Sequence, residues 1–120
     1  MNEAHRAASG AFTHITADLS GVTAAALRDG SSLTGLLIAA AGAAGFTTVG
    51  SPVVRQLPDG GVAAVLFLDA CHITLRTLPE RGSMLLDILA PASRDATKAL
   101  DVFVRRLVPV KVHSEVRSRG

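Results

Sequence analysis

The chain has 120 residues, of which 48% are hydrophobic and 18% charged, so it can fill one core and is not expected to be disordered. Four phenylalanines without tryptophan or tyrosine leave little for base stacking, and the net charge of +2 is small, so we expect no nucleic-acid partner. A single cysteine excludes an internal disulfide and favours a reducing, cytoplasmic compartment. The longest apolar run, over 33–46, is too short to span a bilayer, and we expect no membrane partner.

Residues 1–10 are small and polar, and we expect a flexible leader followed by a single domain over 11–120. Alternation over 11–19 predicts a first strand, and a short helical turn over 22–28 is stopped by Asp29-Gly30. Ser31 or Ser32 is expected to cap a helix whose apolar residues recur at helical spacing and which ends at Gly45.

Four further strands are predicted over 46–57 (bent near 50–52), 62–68, 71–77 and 83–89, with turn signals at 58–61 and 79–82. Ser93 is expected to cap a second helix that reaches Leu107, and 110–116 is the last strand. The order β-α-β-β-β-β-α-β predicts an α+β fold, a two-layer sandwich with a mostly antiparallel sheet and two helices on one face.

The segment from Cys71 to Glu80 reads Cys-His-Ile-Thr-Leu-Arg-Thr-Leu-Pro-Glu. It resembles the self-processing motif of the prokaryotic S-adenosylmethionine decarboxylase family, which reads Ser-His-Leu-Ser-Ile-His-Thr-Trp-Pro-Glu after a glutamate. In the same order and spacing, further matches to the family occur along the chain, at His14-Ile15, Asp18, Gly61-Val62, Asp87, Val112-His113 and Arg119-Gly120. The resemblance implies the family's fold, a sheet backed by helices, and its pairing into a symmetric homodimer.

In that family the chain cuts itself before the motif serine, which becomes a pyruvoyl group that acts as an electron sink for decarboxylation. The resemblance places Cys71 at the serine and Ala70 at the preceding glutamate. It places Arg76 at the second motif histidine, Ala63 at a processing serine and Pro91 at the proton-returning cysteine. Arginine does not transfer protons near neutral pH, so we expect no pyruvoyl cofactor, and proline has no side-chain proton to return after decarboxylation.

The resemblance marks Cys71, His72 and Arg76 as the candidate catalytic residues. Cys71 can be a nucleophile, a remnant of the processing serine or a small buried apolar residue. His72 and Arg76 project from one face of their strand, where Arg76 can clamp a carboxylate if that face lines a cleft, or both meet solvent. Asp87 can orient a basic partner such as Arg76 or lie at a dimer interface.

Three further positions are candidates for substrate binding. Leu57 and Leu78 stand where the family has aromatic residues, so a surface for adenine stacking is lost. Glu80 can accept hydrogen bonds from a ligand hydroxyl or be a solvated turn residue. The four histidines are too far apart in sequence for a local metal motif, so we expect no metal site.

Four functions follow as hypotheses. The leading one is a divergent homologue without a pyruvoyl group, which binds a small molecule such as S-adenosylmethionine or an amino acid and has a regulatory or repurposed role. The alternative is an active decarboxylase in polyamine biosynthesis, with a pyruvoyl group derived from Cys71 and either S-adenosylmethionine or a basic amino acid as substrate. The third is an inactive subunit that pairs with a competent decarboxylase. The fourth is a cofactor-free enzyme in which Arg76 and Glu80 hold a zwitterionic substrate.

Overall fold

A computed structural model describes residues 10–120. Six strands form one sheet in the spatial order β2-β3-β4-β5-β1-β6, and every neighbouring pair is antiparallel. The strands are β1 (Phe12–Ser20), β2 (Val53–Gln56), β3 (Val62–Phe67), β4 (His72–Leu78), β5 (Ser83–Pro91) and β6 (Lys111–Arg119). The predicted order of elements and the antiparallel sheet are confirmed. The predicted leader lies outside the described residues, apart from Gly10.

Three helices, α1 (Ala24–Arg28), α2 (Gly30–Ala43) and α3 (Thr97–Leu107), and a 3-10 turn at Pro79–Arg81 complete the fold. The predicted serine caps are wrong. Asp29 ends α1 and also begins α2, because its carboxylate accepts the Ser32 amide at 3.1 Å. Ser93 lies before α3, and Asp95 accepts the Thr97 amide at 3.2 Å instead.

The core lies between the helices and one face of the sheet. Along β4 the side chains of Ile73, Leu75 and Thr77 are buried, whereas those of His72 and Arg76 on the other face are half-buried. The same alternation runs through β1, β3 and β5, since successive side chains of a strand point to opposite faces. The helices thus cover one face of the sheet, and the other, the uncovered face, carries the polar residues of the motif.

The strand predicted over 46–57 is shorter in the structure. A bend around Gly50, whose φ is +74°, divides it into the strand β2 and a single bridge between Thr48 and Leu68. No helix within residues 10–120 is long and apolar enough to cross a membrane.

Candidate functional site

The turn between β3 and β4 places Cys71 at the end of the sheet where β4 begins. The Leu68 amide donates to the Cys71 carbonyl oxygen at 2.8 Å, and Asp69 and Ala70 are exposed at the tip of the turn. Partial burial, followed by the negative charge of Asp69, raises the pKa of the Cys71 thiol above its usual value. The thiol is therefore protonated at neutral pH and is a weak nucleophile.

An open cavity of about 370 Å³ lies beside Cys71, where β1 and β4 begin and β5 and β6 end. Antiparallel pairing brings these chain ends together, because Phe12 lies opposite Pro91 on one side and Arg119 on the other. The cavity is large enough for a small molecule. It joins apolar, thiol, imidazole and guanidinium groups from Phe12, Ala70, Cys71, His72, Leu89, Arg119 and Gly120.

Three polar side chains contact one another on the uncovered face, next to this cavity. His14 Nε2 lies 2.9 Å from Asp87 Oδ1, and Arg119 Nη1 lies 3.5 Å from His14 Nδ1. A guanidinium can only donate, so Nδ1 accepts and Nε2 carries the proton that is donated to Asp87. Asp87 thus has a basic partner, which is His14 and not Arg76, and its place at a dimer interface stays a prediction. No local spacing signals this trio, because Asp87 and Arg119 lie 73 and 105 positions after His14 along the chain.

Arg76 lies near the opposite end of β4. It lies five positions after Cys71, which is about 17 Å along an extended strand. Its Nη2 atom donates to Asp59 Oδ2 at 2.9 Å and its Nη1 atom to the Thr77 carbonyl oxygen at 2.6 Å. Asp59 also accepts the Gly61 amide at 2.8 Å in the turn between β2 and β3. Arg76 therefore fastens this turn and does not line the cavity beside Cys71.

A Cβ atom on Gly61 would collide with the Arg76 guanidinium and with the Thr77 carbonyl oxygen. The closeness of this packing explains why glycine occupies the position.

The predicted substrate-binding residues group with Arg76 and not with Cys71. Leu78 and Glu80 line a second cavity of about 120 Å³, together with Asp59, Pro79 and Arg81. Leu57 is half-buried, and its backbone closes the turn between β2 and β3 through hydrogen bonds of 2.9 and 2.8 Å with Gly60 and Gly61. The roles of Leu57, Leu78 and Glu80 in ligand binding stay predictions.

Two of the positions singled out by the resemblance now have defined neighbours. Ala63 lies directly opposite Arg76 in the register of β3 and β4. Pro91 lies opposite Phe12, beside the cavity. Neither Ala63 nor Pro91 carries a side chain that can accept or donate a proton.

Comparisons with known proteins agree with the sheet, the helices and the motif strand. The family model described as S-adenosylmethionine decarboxylase matches residues 13–120. The chain therefore belongs to the S-adenosylmethionine decarboxylase family, which confirms the resemblance drawn from residues 71–80.

Individual relatives support the same assignment. The S-adenosylmethionine decarboxylase proenzyme of Aquifex aeolicus is 31% identical over 108 residues, which are 89% of this chain and 79% of the relative. The proenzyme of the same name from Brevibacillus brevis is 32% identical over 108 residues, covering 89% and 80%. The crystal structure of the adenosylmethionine decarboxylase from Aquifex aeolicus has a TM-score of 0.85 at 31% identity, covering 94% of this chain and 93% of that chain.

Proposed function

We propose that this family member does not form a pyruvoyl group and instead binds a small molecule, such as S-adenosylmethionine or an amino acid, in the cavity beside Cys71. The observation on which this proposal rests is the ion pair between Arg76 and Asp59. Arg76 stands at the position that resembles the family's processing histidine. Its guanidinium is already paired with Asp59, and the residue lies opposite Ala63. Neither Arg76 nor Ala63 has a side chain that can transfer protons near neutral pH.

The residues present do not suit the formation of a pyruvoyl group. When formed, that group supplies an electron-withdrawing ketone for decarboxylation. Its formation requires an activated nucleophile and neighbours that transfer protons. At the positions that the resemblance associates with processing, Ala63 and Ala70 offer no titratable side chain, and Arg76 keeps its proton near neutral pH. The cavity is therefore assigned to ligand binding, in a regulatory or repurposed role.

One observation favours the alternative, an active decarboxylase of S-adenosylmethionine or a basic amino acid whose pyruvoyl group comes from Cys71. The similar proteins are named proenzymes, and here the residue at the motif serine position lies with His72 on the wall of a cavity. A thiol can in principle replace a hydroxyl as the attacking group, provided that it loses its proton.

The intact mass of the purified protein under denaturing conditions separates the two functions. We expect one species near 12.3 kDa. Two fragments that meet at Ala70 and Cys71, the second blocked by a pyruvoyl group, would overturn the proposal and establish the alternative. A matched variant restores four motif residues together, as Ala63→Ser, Ala70→Glu, Cys71→Ser and Arg76→His. We expect cleavage in that variant and none in the wild type, because the losses at these positions are what prevents processing.

We also propose that two copies of the chain pair through the uncovered face of the sheet. Four large apolar side chains are exposed on this face, at Phe12, Val53, Phe67 and Leu85. Two such faces can stack as in a β-sandwich, and a twofold axis makes one apolar surface complementary to itself. The hypothesis of pairing with a separate, competent decarboxylase would use the same face.

A further inference from the structure

Arg119 is the basic residue that the fold brings to the cavity beside Cys71. It lies opposite Phe12 in the register of β1 and β6, at the edge where the cavity opens. Within residues 10–120, no carboxylate lies within 4 Å of its guanidinium, since the ion pairs of this part of the chain involve other residues. In contrast, the charge of Arg76 is already paired with Asp59. Arg119 therefore presents an unneutralised positive charge to a concave surface.

The neighbours of Arg119 position its guanidinium and use little of its donor capacity. His14 is held by Asp87 at 2.9 Å and offers Nδ1 as an acceptor to Nη1 of Arg119 at 3.5 Å. A guanidinium has five N–H donors, so most remain for a ligand. The two parallel donors of this group match a carboxylate or a phosphate, and the carboxylate is the one that the amino-acid ligands of the proposed function carry.

We propose that Arg119 binds the carboxylate of a small ligand in this cavity, with His14 and Asp87 as the positioning pair. The inference rests on the proposed function, in which the cavity holds a small molecule, and adds the chemical class of that molecule. Phe12 and Leu89 supply apolar walls, so the ligand carries an apolar part next to its carboxylate. Arg76, the carboxylate clamp expected from the sequence, has no part in this contact.

Cys71 provides a reporter for this contact, because it is the chain's one cysteine and lines the same cavity. Iodoacetate and iodoacetamide react identically: the thiolate sulfur bonds to the methylene carbon and iodide leaves. The two reagents have nearly the same size and differ in charge. We expect the ratio of the iodoacetate rate to the iodoacetamide rate to fall about fivefold in Arg119→Gln, the size of effect typical of a partly exposed charge pair. Intact mass gives both rates.

Arg117→Gln is the matched control. It removes the same charge from the same face of β6, but Arg117 lies opposite His14 and does not line the cavity. The effect of an exposed charge weakens with distance and is partly screened at about 0.15 M salt, so this variant should lower the ratio much less than Arg119→Gln does. The repulsion of anions by Asp69 is present in every variant and cancels from the comparison. Equal ratios in Arg119→Gln and Arg117→Gln, or a folded protein that reacts with neither reagent, would overturn the proposal.

A second readout does not depend on the thiol. The Nε–H signal of Arg119 in ¹⁵N NMR spectra should shift saturably with propionate and not with propionamide, while that of Arg117 stays in place. Equal shifts of the two signals would overturn the inference even in a chain that cuts itself and consumes Cys71. The unmodified mass of the same sample reports cleavage, so failure of the proposed function is distinguished from failure of the Arg119 contact.

Discussion

Arg76 differs from a histidine in what it can do chemically as well as in its charge. A guanidinium keeps its proton throughout the range in which proteins are stable, so it can hold an acceptor but not act as an acid or a base. Here it holds two acceptors, the Asp59 carboxylate and the Thr77 carbonyl oxygen. A position that the resemblance associates with proton transfer has become one that stabilises the turn between β2 and β3.

The stabilising role of this pair predicts a pH dependence. The hydrogen bond from Arg76, followed by that from the Gly61 amide, lowers the pKa of Asp59 from its ordinary value of 3.8. Because the pKa is lower in the folded state, the ionised carboxylate stabilises the fold above pH 3.8, and this contribution is lost as the pH falls below that value. We expect Asp59→Asn to unfold at lower urea concentration than wild type at pH 7, and the difference between the two proteins to shrink as the pH falls below 3.8.

Asp101→Asn is the control for this series, since Asp101 is exposed on α3, away from the turn. It should change the urea midpoint little at either pH. A difference between wild type and Asp59→Asn that is the same at pH 7 and at pH 3 would contradict the role assigned to the carboxylate.

At the scale of elements, the sequence predicts the order and type of the strands and main helices because their signals are local. Alternating apolar residues, Gly-rich turns and helical spacing are each contained within a few residues. The capping residues of the helices are not predicted correctly, because several polar residues near each helix start can accept the first amide hydrogen bonds. Asp29 prevails over Ser31 and Ser32 since α1 ends where α2 begins, and one residue serves both helices. Pattern alone does not reveal such an abrupt junction.

Thr77 joins three elements through one buried hydroxyl. It donates to the Leu27 carbonyl oxygen of α1 at 2.7 Å and accepts the Val62 amide of β3 at 2.8 Å. Thr77→Val keeps the shape but leaves a buried N–H and a buried C=O unpaired, which we expect to lower the free energy of unfolding by about 1–3 kcal/mol. Thr74→Val, on the uncovered face of β4, should change it by less than about 0.5 kcal/mol. If urea denaturation gave the same decrease in the free energy of unfolding for Thr77→Val and Thr74→Val, the hydrogen bonds of the Thr77 hydroxyl would make no specific contribution to stability.

At the scale of the whole molecule, the candidate site depends on strand pairing that no short segment encodes. Cys71 and His72 share the cavity because they are adjacent, and the motif alone sufficed to predict them together. Arg76 belongs to the same motif, yet an extended strand carries it about 17 Å away. Arg119 and His14 join the site only because β6 and β5 both pair with β1. Candidate site residues drawn from one motif therefore lie at two opposite ends of the sheet.

The apolar side chains of the uncovered face predict the oligomeric state. Leu85 lies on β5, near the middle of the sheet, and is 41% exposed, so a charge there would be buried if two faces stack. We expect wild type to sediment as a dimer and Leu85→Glu as a folded monomer. Ile38→Glu places the same charge at a residue that is 51% exposed on α2, in the helix layer, and should remain a dimer. Dissociation of both variants, or a monomeric wild type at micromolar concentration, would rule out pairing through the sheet, because only Leu85 lies on the proposed interface.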